Sequence, residues 1–334
     1  MWEKIIRILR IILLLIILLT LYHCESKIYS PWEVVTTHQY EGHLYCCYFI
    51  DTNNGWAAGD FSASIFRYNN GDWHNFPLPD LPEGYKDYGF YDMYFNSEND
   101  GWIVGNGLLE NEGIRGVIYH WNGVEWEDAT PQPYNDVYPL FCVFFPTPDE
   151  GWAGSEGGRI YHYINGQWSL YDELQMNIYS LWFNSPTDGW AVGYPSTLYR
   201  WNGTEWYLFT HVPYFGSFEE IVFTSNNDGW LLRVPSGEGC SVSCIIRWDP
   251  NLGNFDYDKY TTFYTIIHSI SFSSPYDGWA VGCNNSYHWD GKTWTEVPVP
   301  DIENMNLNDV FAISSDDVWA VGDWGTILHF TGWR

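Results

Sequence analysis

Apolar and polar positions follow one repeated pattern along most of the chain. Between residues 178 and 210 the pattern is clearest. Ile178 to Phe183 alternates and is rich in β-forming residues, which predicts a strand, A. Asn184-Ser-Pro-Thr-Asp-Gly189 follows as a turn, where Ser and Asp bond backbone groups and Gly tolerates the left-handed region. Trp190–Gly193, Thr197–Trp201 and Trp206–Thr210 then predict strands B, C and D. Asn202-Gly203 between C and D is a tight hairpin signal, repeated at Asn122-Gly123, Asn165-Gly166 and Asp290-Gly291. The segment opening strand B occurs seven times, with its Trp at 56, 102, 152, 190, 230, 279 and 319. A four-strand unit of about 40 residues is the signature of a propeller blade. The expected fold is all-β, a seven-bladed β-propeller of four-stranded blades.

The repeat also assigns structural roles. Every copy places Arg or His just before the strand C aromatic: Arg67, His120, His162, Arg200, Arg247, His288 and His329. Seven-fold recurrence predicts pairing with a turn carboxylate rather than catalysis or metal binding. The recurrent Trp residues are expected in the core. Asp188, Asp228 and Asp277 are expected to form turns, since no Asp-x-Asp-x-Asp-Gly calcium loop is present. The seventh copy ends at Trp333-Arg334, where its strand D should begin. Pro31 to Thr37 resembles Glu205 to Thr210, so the N-terminal strand is expected to complete the last blade and remove a free sheet edge.

Composition and charge narrow the function classes. The 334 residues include 21 Trp, 26 Tyr and 19 Phe, ample material for a core, which excludes disorder. The formal charge of −28, from 42 acids and 14 bases, repels phosphate backbones and argues against nucleic-acid binding. Residues 1–23 read as a signal peptide. Lys4, Arg7 and Arg10 precede an apolar run from Ile11 to Tyr22 that is too short to span a bilayer comfortably. Cys24 follows, and Leu21-Tyr22-His23-Cys24 resembles a lipoprotein box with His23 in place of a small residue. Lipidation of Cys24, ordinary cleavage nearby and an uncleaved anchor are the three outcomes, and each puts the body outside the cytoplasm. The expected location is the cell envelope or cell surface, with membrane contact only through this anchor. Residues 24–30 form a short linker and 31–334 the propeller. Cys240 and Cys244 share a loop and are the best candidate disulfide of an exported protein; the alternative is a set of buried thiols.

Three motifs together carry a family resemblance: Asp-Gly-Trp-Ala-Val-Gly, Gly-Thr-Ile-Leu-His (325–329) and Asp-Gly-Lys-Thr-Trp (290–294). The chain resembles the Asp-box or BNR-like propellers, particularly the photosystem II assembly-factor-like branch and its exported relatives. The resemblance covers 31–334. Of the strict Asp-box only Gly-x-Thr-Trp survives, at 291–294, so an inherited glycosidase role is not implied. The assembly-factor likeness implies a non-enzymatic, protein-binding propeller.

Two sets of positions could form a site. The A–B and C–D turns are nearly uniform, whereas 79–91, 106–116, 131–139, 211–217 and 235–243 vary. These segments are expected to form a loop face, where ligand sites concentrate. Its Tyr and carboxylate residues include Tyr85, Tyr88, Tyr134, Tyr138, Tyr214, Asp87 and Asp136. Ten residues before each repeat Trp stand Cys46, Asp92, Cys142, Ser180, Glu220, Ser269 and Asp309, and the next position is always apolar. Alternation places the first set on a different face from the core, near the mouth of the central channel. Asp92, Glu220 and Asp309 could hold a cation there or carry raised pKa values. Arg233 interrupts the Trp-Ala-Val-Gly pattern. The few arginines outside the repeat do not support a sialidase triad. No P-loop, Gly-x-Ser-x-Gly or His-Glu-x-x-His motif implies a cofactor or hydrolytic centre. The expected partner is therefore a protein, with glycan binding or cleavage through the channel-mouth carboxylates as the alternative.

Overall fold

The computed structural model describes residues 30–36, 42–60, 65–77, 84–110, 113–132, 136–212, 216–234, 242–302 and 305–333. Pro31–Arg334 is one compact unit, built from seven four-stranded antiparallel sheets. The first strand of each is Leu44–Asp51, Tyr85–Ser97, Leu140–Thr147, Asn177–Ser185, Ser217–Ser225, Ile267–Ser274 or Leu307–Ser314. Each of these A strands touches the A strand of the next blade, and the seventh touches the first. They therefore ring a central channel. Antiparallel order puts the A–B and C–D turns at one end and the D–A and B–C connections at the other.

Trp32–Thr36 pairs with Thr326–Phe330 as the outer strand of blade 7, with Trp32 opposite Phe330. Trp32 is buried, packs edge-on to Trp279 at 5.0 Å and donates from Nε1 to Ser286 Oγ at 3.0 Å in blade 6. The chain closes as its repeat requires.

Within each blade the repeat Trp of strand B lies directly opposite the Arg or His of strand C, as in Trp102 with His120 and Trp319 with His329. The rings stack at 4.2 Å and 3.7 Å. Where Arg replaces His, the guanidinium sits over the indole, 4.8 Å away for Arg200 on Trp190. The same side chain then reaches the turn carboxylate: His120 to Asp100, His288 to Asp277 and His329 to Asp317, each at 2.8 Å. His162 to Glu150, Arg200 to Asp188 and Arg247 to Asp228 repeat the contact. Blade 1 has Asn54 at the turn, and Arg67 lies over Trp56 and over Trp121 of the next blade. In blades 2, 4 and 6 the Trp that ends strand C closes the unit by donating to the A–B turn: Trp121 to the Glu98 carbonyl, Trp201 to the Pro186 carbonyl at 3.0 Å and Trp289 to the Pro275 carbonyl.

One departure from the repeat explains itself. The Gly before the repeat Trp lies against a Phe of strand A: a Cβ on Gly189 would stand 2.4 Å from Phe183. Blade 7 carries Val318 there, and the facing strand A residue is Ala312, so the two changes trade volume across the sheet. Blade 2 departs from expectation. Tyr85–Ser97, Asp100–Leu109 and Ile114–Trp121 are long strands that absorb most of the segments 79–91 and 106–116 expected as loops.

Gly189→Val is expected to cost about 1–3 kcal/mol from overpacking and much less in a Phe183→Ala background. Denaturant unfolding of the four-member cycle checks this; strictly additive costs would contradict the contact.

Candidate functional site

All seven A strands share a β-bulge at one position. Pairing with strand B shifts between Leu44 and Cys46, Phe90 and Asp92, Leu140 and Cys142, Ile178 and Ser180, Phe218 and Glu220, Ile267 and Ser269, and Leu307 and Asp309. A bulge breaks the two-residue alternation, so two consecutive side chains face the channel. It also brings strand A against the last Gly of Trp-Ala-Val-Gly. A Cβ on Gly59, Gly105, Gly193, Gly282 or Gly322 would lie 1.7 to 2.0 Å from a carbonyl oxygen within strand A or on the residue just before it.

The second residue of each pair forms a middle layer in the channel: Cys46, Asp92, Cys142, Ser180, Glu220, Ser269 and Asp309. Several reach across to the next blade's inner strand and accept a hydrogen bond from its backbone N–H. Asp92 Oδ2 accepts from Val143 N at 2.8 Å, Ser180 Oγ from Ile221 N at 3.3 Å, Glu220 Oε2 from Ile270 N at 2.6 Å, and Asp309 Oδ2 from Cys47 N at 2.7 Å. Ser269 Oγ donates to Asp309 Oδ1 at 2.8 Å. These side chains latch blade to blade and satisfy an otherwise exposed inner edge.

Burial pushes the Asp92 carboxyl up to about 8, against the bond from Val143 and with the help of the Asp309 charge. Burial raises Asp309 to about 6, against the bonds from Cys47 and Ser269. Glu220 rises well above its ordinary value for the same first reason, aided by Asp309. The raised pKa values expected from sequence are present. The cation reading gains no support, because no group of three His, Cys, Asp or Glu suited to a metal occurs among the described residues.

The first residue of each bulged pair was not anticipated as channel-facing. Tyr45, Tyr91, Phe141, Tyr179, Glu219, His268 and Asn308 line a cavity of 160 Å³ at the loop end. Four consecutive blades supply an aromatic arc, with ring centroids 5.5 Å (Tyr45–Tyr91), 6.0 Å (Tyr91–Phe141) and 5.5 Å (Phe141–Tyr179) apart. Asn106 Nδ2 donates to the Tyr91 hydroxyl at 3.0 Å. Glu219 lines the mouth, and the Asp60 and Asp323 carboxylates lie close enough to act on Tyr45. Asp323 holds His43 Nδ1 at 2.9 Å and accepts from Asn306 at 2.7 Å and Asn308 at 3.1 Å. Beside it Trp324 sits at φ 58°, in the left-handed region that a bulky residue avoids. Trp324 is 42% exposed and its ring lies 5.1 Å from that of His43. Burial, then Asp60, Tyr91 and Asp323, push the Tyr45 hydroxyl up to about 12, so it remains a donor.

The other expected residues scatter. Tyr85 and Tyr88 are buried in the core between blades 1 and 2, because the strands of blade 2 extend through them. They are not loop-face contacts, a correction to the sequence reading. Asp87 accepts from the Tyr88 backbone within that strand. Tyr138 is exposed, with the Arg159 guanidinium 4.1 Å over its ring, and Arg159 also donates to the Asp136 carbonyl. Arg233 takes the place of the close-approach Gly in blade 5 and borders a separate cavity of 370 Å³ with Tyr257 and Tyr260. Cys244 is a buried free thiol, as are Cys46, Cys47 and Cys142. Cys24, Tyr134, Tyr214 and Cys240 lie outside the described residues.

No family model matches the sequence, and no curated protein does. Solved structures match in fold. "YCF48 bound to D1 peptide" superposes with TM-score 0.69 at 18% identity, covering 91% of this chain and 96% of the other. "YCF48 from Cyanidioschyzon merolae" gives 0.66 at 16%, covering 90% and 99%. Virginiamycin B lyase from Staphylococcus aureus gives 0.66 at 15%, covering 90% and 99%. The chain is similar to these in architecture. The likeness to assembly-factor propellers holds at the level of fold, and an Asp-box membership gains no support.

Raised carboxylates favour the protonated fold. Their contribution is complete below the ordinary carboxylate range and is lost as pH climbs through about 6 for Asp309 and about 8 for Asp92. The melting temperature is therefore expected to fall between pH 5 and 8.5. Asp92→Ser, which installs the residue that blades 4 and 6 use, should flatten that fall; an unchanged slope would contradict the assignment.

Proposed function

We propose that this chain is an exported, non-catalytic propeller that binds a segment of a partner protein at the loop-end mouth of its channel. The carrying observation is the four-ring arc from Tyr45 to Tyr179 set beside Glu219, Asp60 and Asp323, with Trp324 held outward. Half-buried aromatic rings on a rigid scaffold supply contact area at low entropic cost, and such anchors dominate binding energies. The acidic edge favours a partner segment that carries positive charge. A propeller of similar fold, YCF48, occurs bound to a D1 peptide, which supports a peptide-binding use of the architecture. The leader before Cys24 supports export and a lipid anchor at the envelope. Glycan cleavage is the weaker reading, because Asp92, Glu220 and Asp309 already hold backbone N–H groups of the next blade.

Crosslinking pull-down from native envelopes tests the face. Tyr45→Ala with Tyr179→Ala is expected to reduce partner recovery at least about tenfold, since each lost anchor costs over about 1 kcal/mol, while the fold survives by circular dichroism. Full recovery by the folded variant would reject this site.

A further inference from the structure

The channel holds a second chamber of 350 Å³ at its turn end. Strand A runs from the loop end to the turn end, so the residue two places after the middle layer lines this chamber. In five blades that residue is aromatic, and the rings follow one another around the axis. Phe311 lies 4.9 Å from Tyr48, Tyr48 5.6 Å from Tyr94, Tyr94 5.0 Å from Phe144, and Phe144 5.3 Å from Trp182. Blades 5 and 6 carry Val222 and Ser271 at this position, which leaves the collar open on one side. All five rings are only half-buried, so each keeps a surface towards the chamber.

The inner wall is the middle layer, where Asp92, Glu220 and Asp309 border both chambers. Among the described residues, no Lys, Arg or His lines the turn-end chamber. Glu220 stands two residues before Val222 on the same strand, behind the open side of the collar. The volume falls within the small-ligand range of about 300–1,000 Å³.

Charge complementarity selects the occupant. Aromatic faces attract cations, more strongly once water is excluded. A cation in the chamber favours the ionised form of the carboxyls behind the collar and then gains Coulomb attraction from them, a term that an anion or a neutral molecule lacks. Burial raises the Glu220 carboxyl well above its ordinary value, and a cation beside it would draw it back towards the ionised form. A hydrated metal ion would gain little from five aromatic rings, whereas a compact organic cation fits both walls. We infer that the turn-end chamber is a binding site for an organic ammonium ion of the alkyl- or quaternary ammonium class, held by the Phe311–Tyr48–Tyr94–Phe144–Trp182 collar with its charge facing Glu220. This site lies at the other end of the channel from the mouth, across the middle layer that borders both chambers.

Calorimetric titration of the full chain with choline and with its neutral isostere, 3,3-dimethylbutan-1-ol, tests the inference. Choline is expected to bind once per chain, at least about tenfold tighter than the isostere. Glu220→Gln keeps an oxygen for the Ile270 N–H and should weaken choline about tenfold. Val222→Phe fills the open side of the collar and should abolish binding. Leu208→Ala, on the exposed outer strand of blade 4, should leave it unchanged. Melting curves establish that each variant is folded. Equal affinity for the two compounds, no choline binding by the wild-type chain, or binding kept in folded Val222→Phe would each overturn the inference.

Discussion

The bulge in the inner strand is the constraint on which the channel depends. A regular strand would send alternate residues to the channel and the core, giving one lining position near the mouth. The bulge turns two neighbours inward instead, so Tyr45 and Cys46, or Glu219 and Glu220, share a side. It also draws strand A onto strand B so closely that only Gly fits at 59, 105, 193, 282 and 322. The Trp-Ala-Val-Gly phrase is therefore a record of backbone approach rather than of ligand binding.

Two consequences follow for the ring. The deeper of the paired residues reaches the next blade, and four of these contacts join blades through backbone N–H groups. Their raised carboxyls show that closure places acids where water is scarce. The shallower residue varies more in type: Asn308 still bridges to blade 1 by donating to the Leu44 carbonyl at 2.9 Å, whereas aromatic rings stand there in blades 1 to 4. Tyr, Tyr, Phe and Tyr occupy four successive blades, and Glu, His and Asn the remaining three. Freedom from the structural rule is what lets one blade's mouth residue differ from the next, as a binding surface requires.

The fold was legible because its signals repeat seven times. The stacking of His329 on Trp319 and its bond to Asp317 follow from a position that is basic in every copy. Strand completion by 32–36 was legible because the last copy lacks its fourth strand. Blade 2 was misread because Tyr85 and Tyr88 precede the regular unit and carry no repeat to mark them as core. The aromatic arc was missed because alternation assigns Tyr45, Tyr91, Phe141 and Tyr179 to the buried face. The signal that could have found them is compositional. A core position would stay apolar in all blades, yet this one becomes Glu219, His268 and Asn308 in the last three.

The central claim is that the loop end of the channel, and not the turn face, meets a partner protein. A photoreactive amino acid placed at position 179, beside the mouth, and separately at the exposed position 276 of an A–B turn tests it most directly. Irradiated in native envelopes, the account predicts a discrete crosslinked partner from 179 and none from 276. A crosslink from 276 alone would contradict it.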